Sequence, residues 1–424
     1  MKLNVQNIGR VNVADIDLRG ITVVAGENAS GKSTVSKSLF SILEIFFDLP
    51  QSAENQRRRS EIALVRKWFT QGYLPIRFSV KDVRELYYLA NGDEERFVDS
   101  VFDTAQKSGL GKILHGSEYY ERIRTNISEF FVAYQEICEK SIEYYGRYAS
   151  QVMLDSIFKE QINCLKGDTI GRILYQNEQD FNEIVVYKNR LEDIASTFFK
   201  SENIKPIYIT TSDLMSTVGG YRKLYSAEKN DMISYANIQL TQLLMDEIST
   251  KELIAEEYQR LEEQKQQFEE LFKQVLEGEI YLDNNQLTYH DNWCDENVEL
   301  QNVASGMKIF LVLKRLIHNG VFLKRVCLIM DEPETNLHPE WQLILAHLLV
   351  VLNLRMQVKI YVNSHSPYFV RAMEYYANEY QVLDRCNFYM MEKGMELGLF
   401  QSVEVTQKLG EIYDKLAEPF NKIM

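Results

Sequence analysis

The residues whose types and spacing carry the most chemistry are Gly26-Glu27-Asn28-Ala29-Ser30-Gly31-Lys32-Ser33, with Thr34 next. Two glycines bracket four residues, and a lysine and a hydroxyl follow, which is the GxxxxGK[ST] pattern. Glycine lets a backbone turn tightly enough for its N–H groups to face one point. A helix starting there adds the positive end of its dipole. Such a cradle suits phosphate oxygens. The spacing places Lys32 at the β- and γ-phosphates of a nucleotide and the Ser33 hydroxyl on Mg²⁺. The duller reading is a Gly-rich turn with a stray lysine.

A second group of residues ends an apolar run. Val326-Cys327-Leu328-Ile329-Met330 reads as a buried strand, and Asp331-Glu332 stand at its C-terminal end. Ligands of open α/β sheets sit at that edge. Asp331 is placed to hold Mg²⁺ through water, and Glu332 to orient or deprotonate an attacking water. In a dry site beside phosphates the pKa of Glu332 is expected to rise, as suits a base. On its own, such a strand end is equally read as a solvated pair of acids. One strand later, Tyr361-Val362-Asn363-Ser364-His365-Ser366-Pro367 ends in a loop with a histidine. A neutral imidazole there can both donate to and accept from a γ-phosphate. Finally, Ala304-Ser305-Gly306-Met307-Lys308 opens a helix. The Ser-Gly pair is either an N-cap or an anion-binding helix start.

The elements around these residues alternate. Leu3 and Val5, then Val11 and Val13, read as half-buried strands, and Ile21-Thr22-Val23-Val24 as a buried one. Val35, Leu39, Leu43 and Phe47 mark a helix face. From about Phe46 to Leu165 helical spacing dominates, as at Tyr119, Ile123, Ile127, Phe131 and Tyr134. Strand-like runs return at Arg172–Tyr175, Glu183–Tyr187 and Ile207–Ile209. A second helical stretch runs from about Ala236 to Gly278 with Ile254, Leu261, Phe268 and Val275 at heptad spacing. That stripe fits a helix packed on its neighbour or a short coiled-coil arm. A hairpin follows, Glu279–Leu282 and Gln286–His290 around Asp283-Asn284-Asn285. Then come Ile309–Ile317, Val326–Met330, Trp341–Leu354 and Val358–Val362, the α/β alternation.

The expected fold class is therefore α/β, a P-loop head with a mixed sheet split by large helical insertions. The divisions are a P-loop half over 1–45, a helical insertion over 46–169, and return strands over 170–225. A helical arm or second insertion covers 226–278, and the Asp-Glu and histidine half covers 279–424.

The 424 residues are 45% hydrophobic and 25% charged, enough for a sizeable core. A formal charge of −14 makes most of the surface repel a polyanion, so a chain-wide nucleic-acid wrapping surface is not expected. Arg57-Arg58-Arg59 with Arg66 and Lys67 form the densest basic cluster; it is a salt-bridged or solvated helix face, or a local nucleic-acid patch. The five scattered cysteines fit free thiols in a reducing compartment. The start lacks a signal-peptide core, and Leu343–Leu354 is too short to span a bilayer. These features predict a cytoplasmic, non-membrane protein.

The four motifs, in this order, resemble the ATPase heads of the ABC superfamily. The resemblance is to the branch with SMC, RecF and OLD-type proteins, whose P-loop and Asp-Glu halves are split by a long insertion. Within it, Asp331-Glu332-Pro333-Glu334-Thr335-Asn336-Leu337-His338-Pro339-Glu340-Trp341-Gln342 is similar to small AAA family ATPases of bacterial phage-defence and toxin-like operons, including those of Septu and PARIS systems. The resemblance implies ATP and Mg²⁺ as cofactors, an ATP hydrolase, and a homodimer or higher homo-oligomer. It implies that Ser305 and Gly306, and Lys308 if it reaches phosphate, lid the nucleotide of the opposite protomer. His365 then senses the γ-phosphate, and Asn336-Leu337 crosses between the two sites. An effector protein from a neighbouring gene is an implied partner; a DNA-repair or chromosome-handling ATPase that clamps duplex DNA is the alternative role. Two departures stand out. The signature reads Ala-Ser-Gly-Met-Lys instead of Leu-Ser-Gly-Gly-Gln. No glutamine follows Ile207–Ile209, where Thr211, Ser212 and Asp213 stand.

Overall fold

The computed structural model describes residues 1–47, 49–70, 78–107, 117–164, 168–198, 204–211, 214, 235–246, 254–283, 286–292 and 296–421. The chain divides into two compact units, 1–47 with 152–424, and 48–151.

The first unit is built on a mixed sheet of eleven strands. In chain order its strands are β1 (Lys2–Ile8), β2 (Val11–Asp17), β3 (Ile21–Ala25), β4 (Gly171–Gln176), β5 (Phe181–Tyr187), β6 (Arg190–Ser196) and β7 (Lys205–Thr210). After a separate three-stranded sheet of β8 (Gly278–Asp283), β9 (Gln286–Asp291) and β10 (Val298–Glu299), it continues with β11 (Val326–Asp331), β12 (Lys359–Ser364), β13 (Cys386–Lys393) and β14 (Phe400–Glu404). The order across the large sheet is β6-β5-β4-β1-β2-β14-β13-β3-β12-β11-β7. The strands β13, β3, β12, β11 and β7 pair in parallel. The strands β2, β1, β4, β5 and β6 form an antiparallel wing.

The parallel half is a continuous apolar layer. Every residue of β3 is buried, as are the first five of β11. This is the pattern of strands covered on both faces. Residues of α1 (Lys32–Phe47) and of the helices Ser305–His318 and Pro339–Met356 are buried with them. Parallel pairing sets β3, β11 and β12 side by side with the same direction, so the loops after Ala25, Asp331 and Ser364 leave one edge together.

Some elements differ from their sequence pattern. Val13 is 40% exposed while Ala14 and Ile16 are buried. The partners Phe400↔Val11 and Gln401↔Val13 skip Asn12, and this irregularity turns Val13 to the other face. The strands β6, β13 and β14 lack a clear strand signal in the sequence: β6 is polar and exposed at its edge position, whereas β13 lies in the buried centre. In the second helical stretch, Leu261 and Phe268 are buried and Ile254 is 62% exposed. The helix Ala255–Phe272 packs on the head: Phe268, Leu271 and Phe272 share a core cluster with Phe310 and Leu313. Lys314 sits between Glu269 (3.5 Å) and Glu279 (2.6 Å). Asp283 ends β8, but Asn284 and Asn285 lie outside the described residues.

The unit 48–151 is helical, with Leu49–Val65, Val80–Ala90, Glu94–Lys107, Ser117–Glu139 and the start of Ile142–Phe158. Its core is aromatic, from Trp68, Phe69, Phe97, Phe130, Phe131 and Tyr134. Of the basic cluster, Arg57 lies 3.8 Å from Glu61, which is 2% exposed and also takes Arg84 at 2.5 Å, while Arg58, Arg59, Arg66 and Lys67 are exposed.

Candidate active site

β3 delivers the chain to the loop 26–31, and Lys32 opens α1. A Cβ at Gly26 would stand 2.9 Å from Ser30 Oγ and 3.2 Å from Met391 Cβ. Gly31 has φ 88°, where a side chain is strained, and a Cβ there would meet Val11 Cγ2 at 3.0 Å. The glycines are thus demanded by close approach and by backbone sign. Glu27, Asn28 and Ala29 are exposed and Ala29 is left-handed (φ 62°), so the loop bulges outward over the sheet edge. Thr34 and Val35 donate their N–H groups to Gly31 O, which starts the helix. Among the described residues, the buried Ser30 Oγ has no hydrogen-bond partner.

Lys32 is 3% exposed. Its Nζ donates to Gly26 O (2.9 Å) and Glu27 O (2.8 Å) and lies 3.8 Å from Glu332 Oε1. Burial pushes its pKa down, against the pull of Glu332 and Asp331. The ammonium is therefore held inside the loop by the loop's own carbonyls.

Asp331 is held by a ring of polar side chains. Asn363, its register partner on β12, donates one amide hydrogen to Asp331 Oδ1 (2.7 Å) and another to Ser36 Oγ (2.9 Å). Tyr208 on β7 donates to Asp331 Oδ2 (3.2 Å), and its hydroxyl also meets Ser36 Oγ at 3.2 Å. Ser36 in turn reaches Ser33 O (3.2 Å), which ties this ring to the first turn of α1. The sequence reading missed Ser36, Tyr208 and Asn363. For Tyr208 and Asn363 the signal was a polar residue inside an apolar strand, Ile-Tyr-Ile and Tyr-Val-Asn, where burial demands a partner.

Glu332 leaves β11 with φ 51°, donating its N–H to Asn363 O (3.0 Å) and accepting at its carbonyl from Thr211 Oγ1 (2.9 Å). The Thr211 hydroxyl is thus used on the backbone; Ser212 and Asp213 lie outside the described residues. His365 Nδ1 lies 3.5 Å from Glu332 Oε1 and 3.6 Å from Glu334 Oε1. The interaction with His365, aided by Lys32, holds the Glu332 carboxyl below its ordinary value despite partial burial. The same contact with Glu332, with Glu334 behind it, raises the His365 pKa, so the ring is drawn toward imidazolium. The pair stabilises itself as carboxylate and cation.

Ser305 is the first residue of its helix; the N-cap is Ala304, which makes no side-chain cap. The cap reading of the Ser-Gly pair is therefore excluded. A Cβ at Gly306 would stand 3.0 Å from Asn336 O, 3.2 Å from Leu337 Cδ2 and 3.3 Å from Trp341 Cζ3. Gly306 is required because the Asn336-Leu337 turn lies on it. Asn336 itself is left-handed, with φ 66°. Lys308 is 3% exposed, and burial lowers its pKa. Its side chain points into the protomer, so the expected reach to a partner's phosphate is not displayed.

A Gly-rich loop before α1, the Asp331-Glu332 pair at the end of β11 and His365 just after β12 thus stand at one edge of the parallel half of the sheet. The chain belongs to the family described as AAA ATPase domain, whose model matches residues 1–370. No curated protein matches it significantly. Among solved structures, one described as the SMC head domain from Thermotoga maritima is 11% identical with a TM-score of 0.38, covering 95% of this chain and 98% of that one. An SmcHead bound to the C-winged helix domain of ScpA is 10% identical with a TM-score of 0.45, covering 97% and 98%. An Smc head with an extended coiled coil, bound to the C-terminal domain of ScpA derived from Pyrococcus furiosus, is 10% identical with a TM-score of 0.42, covering 100% and 98%. Among the described residues, no helix is long and apolar enough to cross a membrane.

Proposed function

We propose that this chain binds and hydrolyses ATP, and that the second half of each nucleotide site comes from another copy of it. The observation that carries the reading is the meeting of Lys32, Glu332 and His365 within 3.8 Å steps at one sheet edge. The loop 26–34 supplies backbone N–H groups and the Lys32 ammonium for the triphosphate. Moving Lys32 from two carbonyls to phosphate exchanges weak acceptors for charged ones.

The donors fit magnesium: a carboxylate oriented from both sides at Asp331 and a hydroxyl at Ser33 suit a hard cation that takes oxygen ligands. Bound there, magnesium would neutralise charge developing on the phosphates. Glu332 is kept ionised and therefore able to orient a water. His365 can donate to the γ-phosphate once its ring leaves Glu332.

Ser305 and Gly306 form the complementary face, a helix start braced by the Asn336-Leu337 turn. Two heads would sandwich two ATP molecules head to tail, and hydrolysis would reopen them. In the cell we assign the chain to the sensor or scaffold ATPase of a defence or toxin-like system, holding an effector protein. The similarity of Asp331–Gln342 to such ATPases and the charge of −14, which disfavours a duplex-wrapping surface, support this role.

A mixing experiment tests the composite site. Lys32→Ala and Ser305→Arg should each lack ATP turnover alone. Mixed, they place one intact P-loop opposite one intact signature helix, and turnover should return. A mixture as inactive as its components would contradict the reading.

A further inference from the structure

The turn after Asp331 carries a second acid with no part in the chemistry above. Glu334 is 3% exposed. Three donors converge on its Oε1: Ser364 Oγ at 2.6 Å, His365 N at 3.0 Å and Ser366 N at 3.3 Å. Ser366 N also reaches Ser364 Oγ (3.1 Å), and Ser366 Oγ donates to Gln342 Oε1 (2.7 Å). Ser366 further caps the helix Pro367–Glu379 by accepting from Phe369 N. One buried oxygen thus fixes three successive residues, and the sensor histidine is the middle one.

Glu334 also belongs to the turn that starts at Glu332. Thr335 N donates to Glu332 O (3.1 Å), and Leu337 N donates to Glu334 O (3.0 Å). One end of this turn carries the water-orienting acid. The other carries Asn336 and Leu337, which lie against Gly306. A side chain that bolts this turn to the His365 loop joins all three parts of the site.

We propose that Glu334 is the positioning residue that holds His365 against Glu332, through the hydrogen bonds that its Oε1 accepts from the His365 loop. A buried carboxyl is costly unless its oxygens are satisfied, and here one oxygen satisfies three donors. Its other oxygen, Oε2, has no partner among the described residues. Burial pushes the Glu334 carboxyl above its ordinary range. An amide can therefore take its place, because the Oε1 acceptor is kept. The alternative is a buried charge that polarises the imidazole directly.

This inference rests on the ATPase reading, so the wild-type rate is measured first. With turnover established, steady-state kinetics compare Glu334→Ala, Glu334→Gln and Ser364→Ala. Loss of the anchor should lower kcat of Glu334→Ala on the order of 10²-fold, as misplacement of a catalytic group does. Half-saturating ATP should stay within about twofold, since the phosphate loop is untouched. Glu334→Gln should keep kcat within about threefold of wild type. Ser364→Ala, which deletes one donor, should show a smaller loss in the same direction, and it carries the test if Glu334→Ala does not fold. A glutamine variant as slow as the alanine one would overturn the acceptor role, as would an alanine variant that weakens ATP binding and leaves kcat alone. No turnover by the wild type would instead defeat the ATPase reading itself.

Discussion

The head and the helical unit 48–151 bury polar groups in opposite ways. In the head, Lys32, Ser36, Glu334, Asn363 and Ser364 are all buried at one sheet edge, around the partly exposed Asp331, Glu332 and His365. In the helical unit the core is a cluster of rings, with Phe97 and Phe130 stacked at 6.1 Å, Phe69 edge-on to Phe130 at 4.9 Å, and Phe130 and Tyr134 stacked at 5.8 Å. Its buried acid, Glu61, is closed off by Arg84 and Arg57. A buried charge needs compensation wherever it lies. The helical unit compensates Glu61 with arginines of its own helices. The head compensates Lys32 with backbone carbonyls and a nearby carboxylate, partners that can be exchanged for phosphate.

This contrast makes separable predictions. The largest effect should come from Lys32→Ala, which removes a preorganised charge; turnover should fall on the order of 10³-fold with the melting temperature nearly unchanged. Comparable activity in that variant would remove the head's claim to the chemistry. Next, Phe130→Ala empties the centre of the aromatic core and should cost about 3–5 kcal/mol in denaturant unfolding of that unit. ATP affinity should not follow it; a parallel loss of affinity would show that the two units are not separate in function. Glu61→Gln should cost less, about 2 kcal/mol, because the Arg84 contact loses its charge.

The smallest effect concerns His365. Its folded pKa is raised, so the stabilisation from its pair with Glu332 is complete below the ordinary histidine pKa. It is lost as pH rises through the folded value. In an NMR titration His365 should titrate above about 6.5, the unperturbed value. Glu332→Gln should bring it down. A His365 that titrates at or below the ordinary value with Glu332 intact would break the proposed ion pair.

Much of the head was legible because its rules are local. The spacing of Gly26, Gly31, Lys32 and Ser33 forces a loop and a helix start, and five apolar residues force Asp331 to a strand end. The bracing of that site was not legible. Asn363 reaches Asp331 only through parallel register, and Tyr208 arrives from a strand distant in sequence. Glu334 looks like one more acid in an acidic chain until the strand before His365 is laid beside it. The pairing of Glu332 with His365, 3.5 Å away, was not legible either, and this contact lowers the pKa of the Glu332 carboxyl. Lys308, given only a conditional reach to phosphate, is buried with its helix, which its spacing alone did not reveal.

The central claim is that ATP glues two copies through the P-loop of one and Ser305-Gly306 of the other. Light scattering of Glu332→Gln, with ATP and magnesium, measures it directly. The mass should rise from 49.6 kDa to twice that, and adding Ser305→Arg should abolish the rise. A single 49.6 kDa species at every nucleotide concentration, or a dimer indifferent to the Ser305 change, would contradict the account.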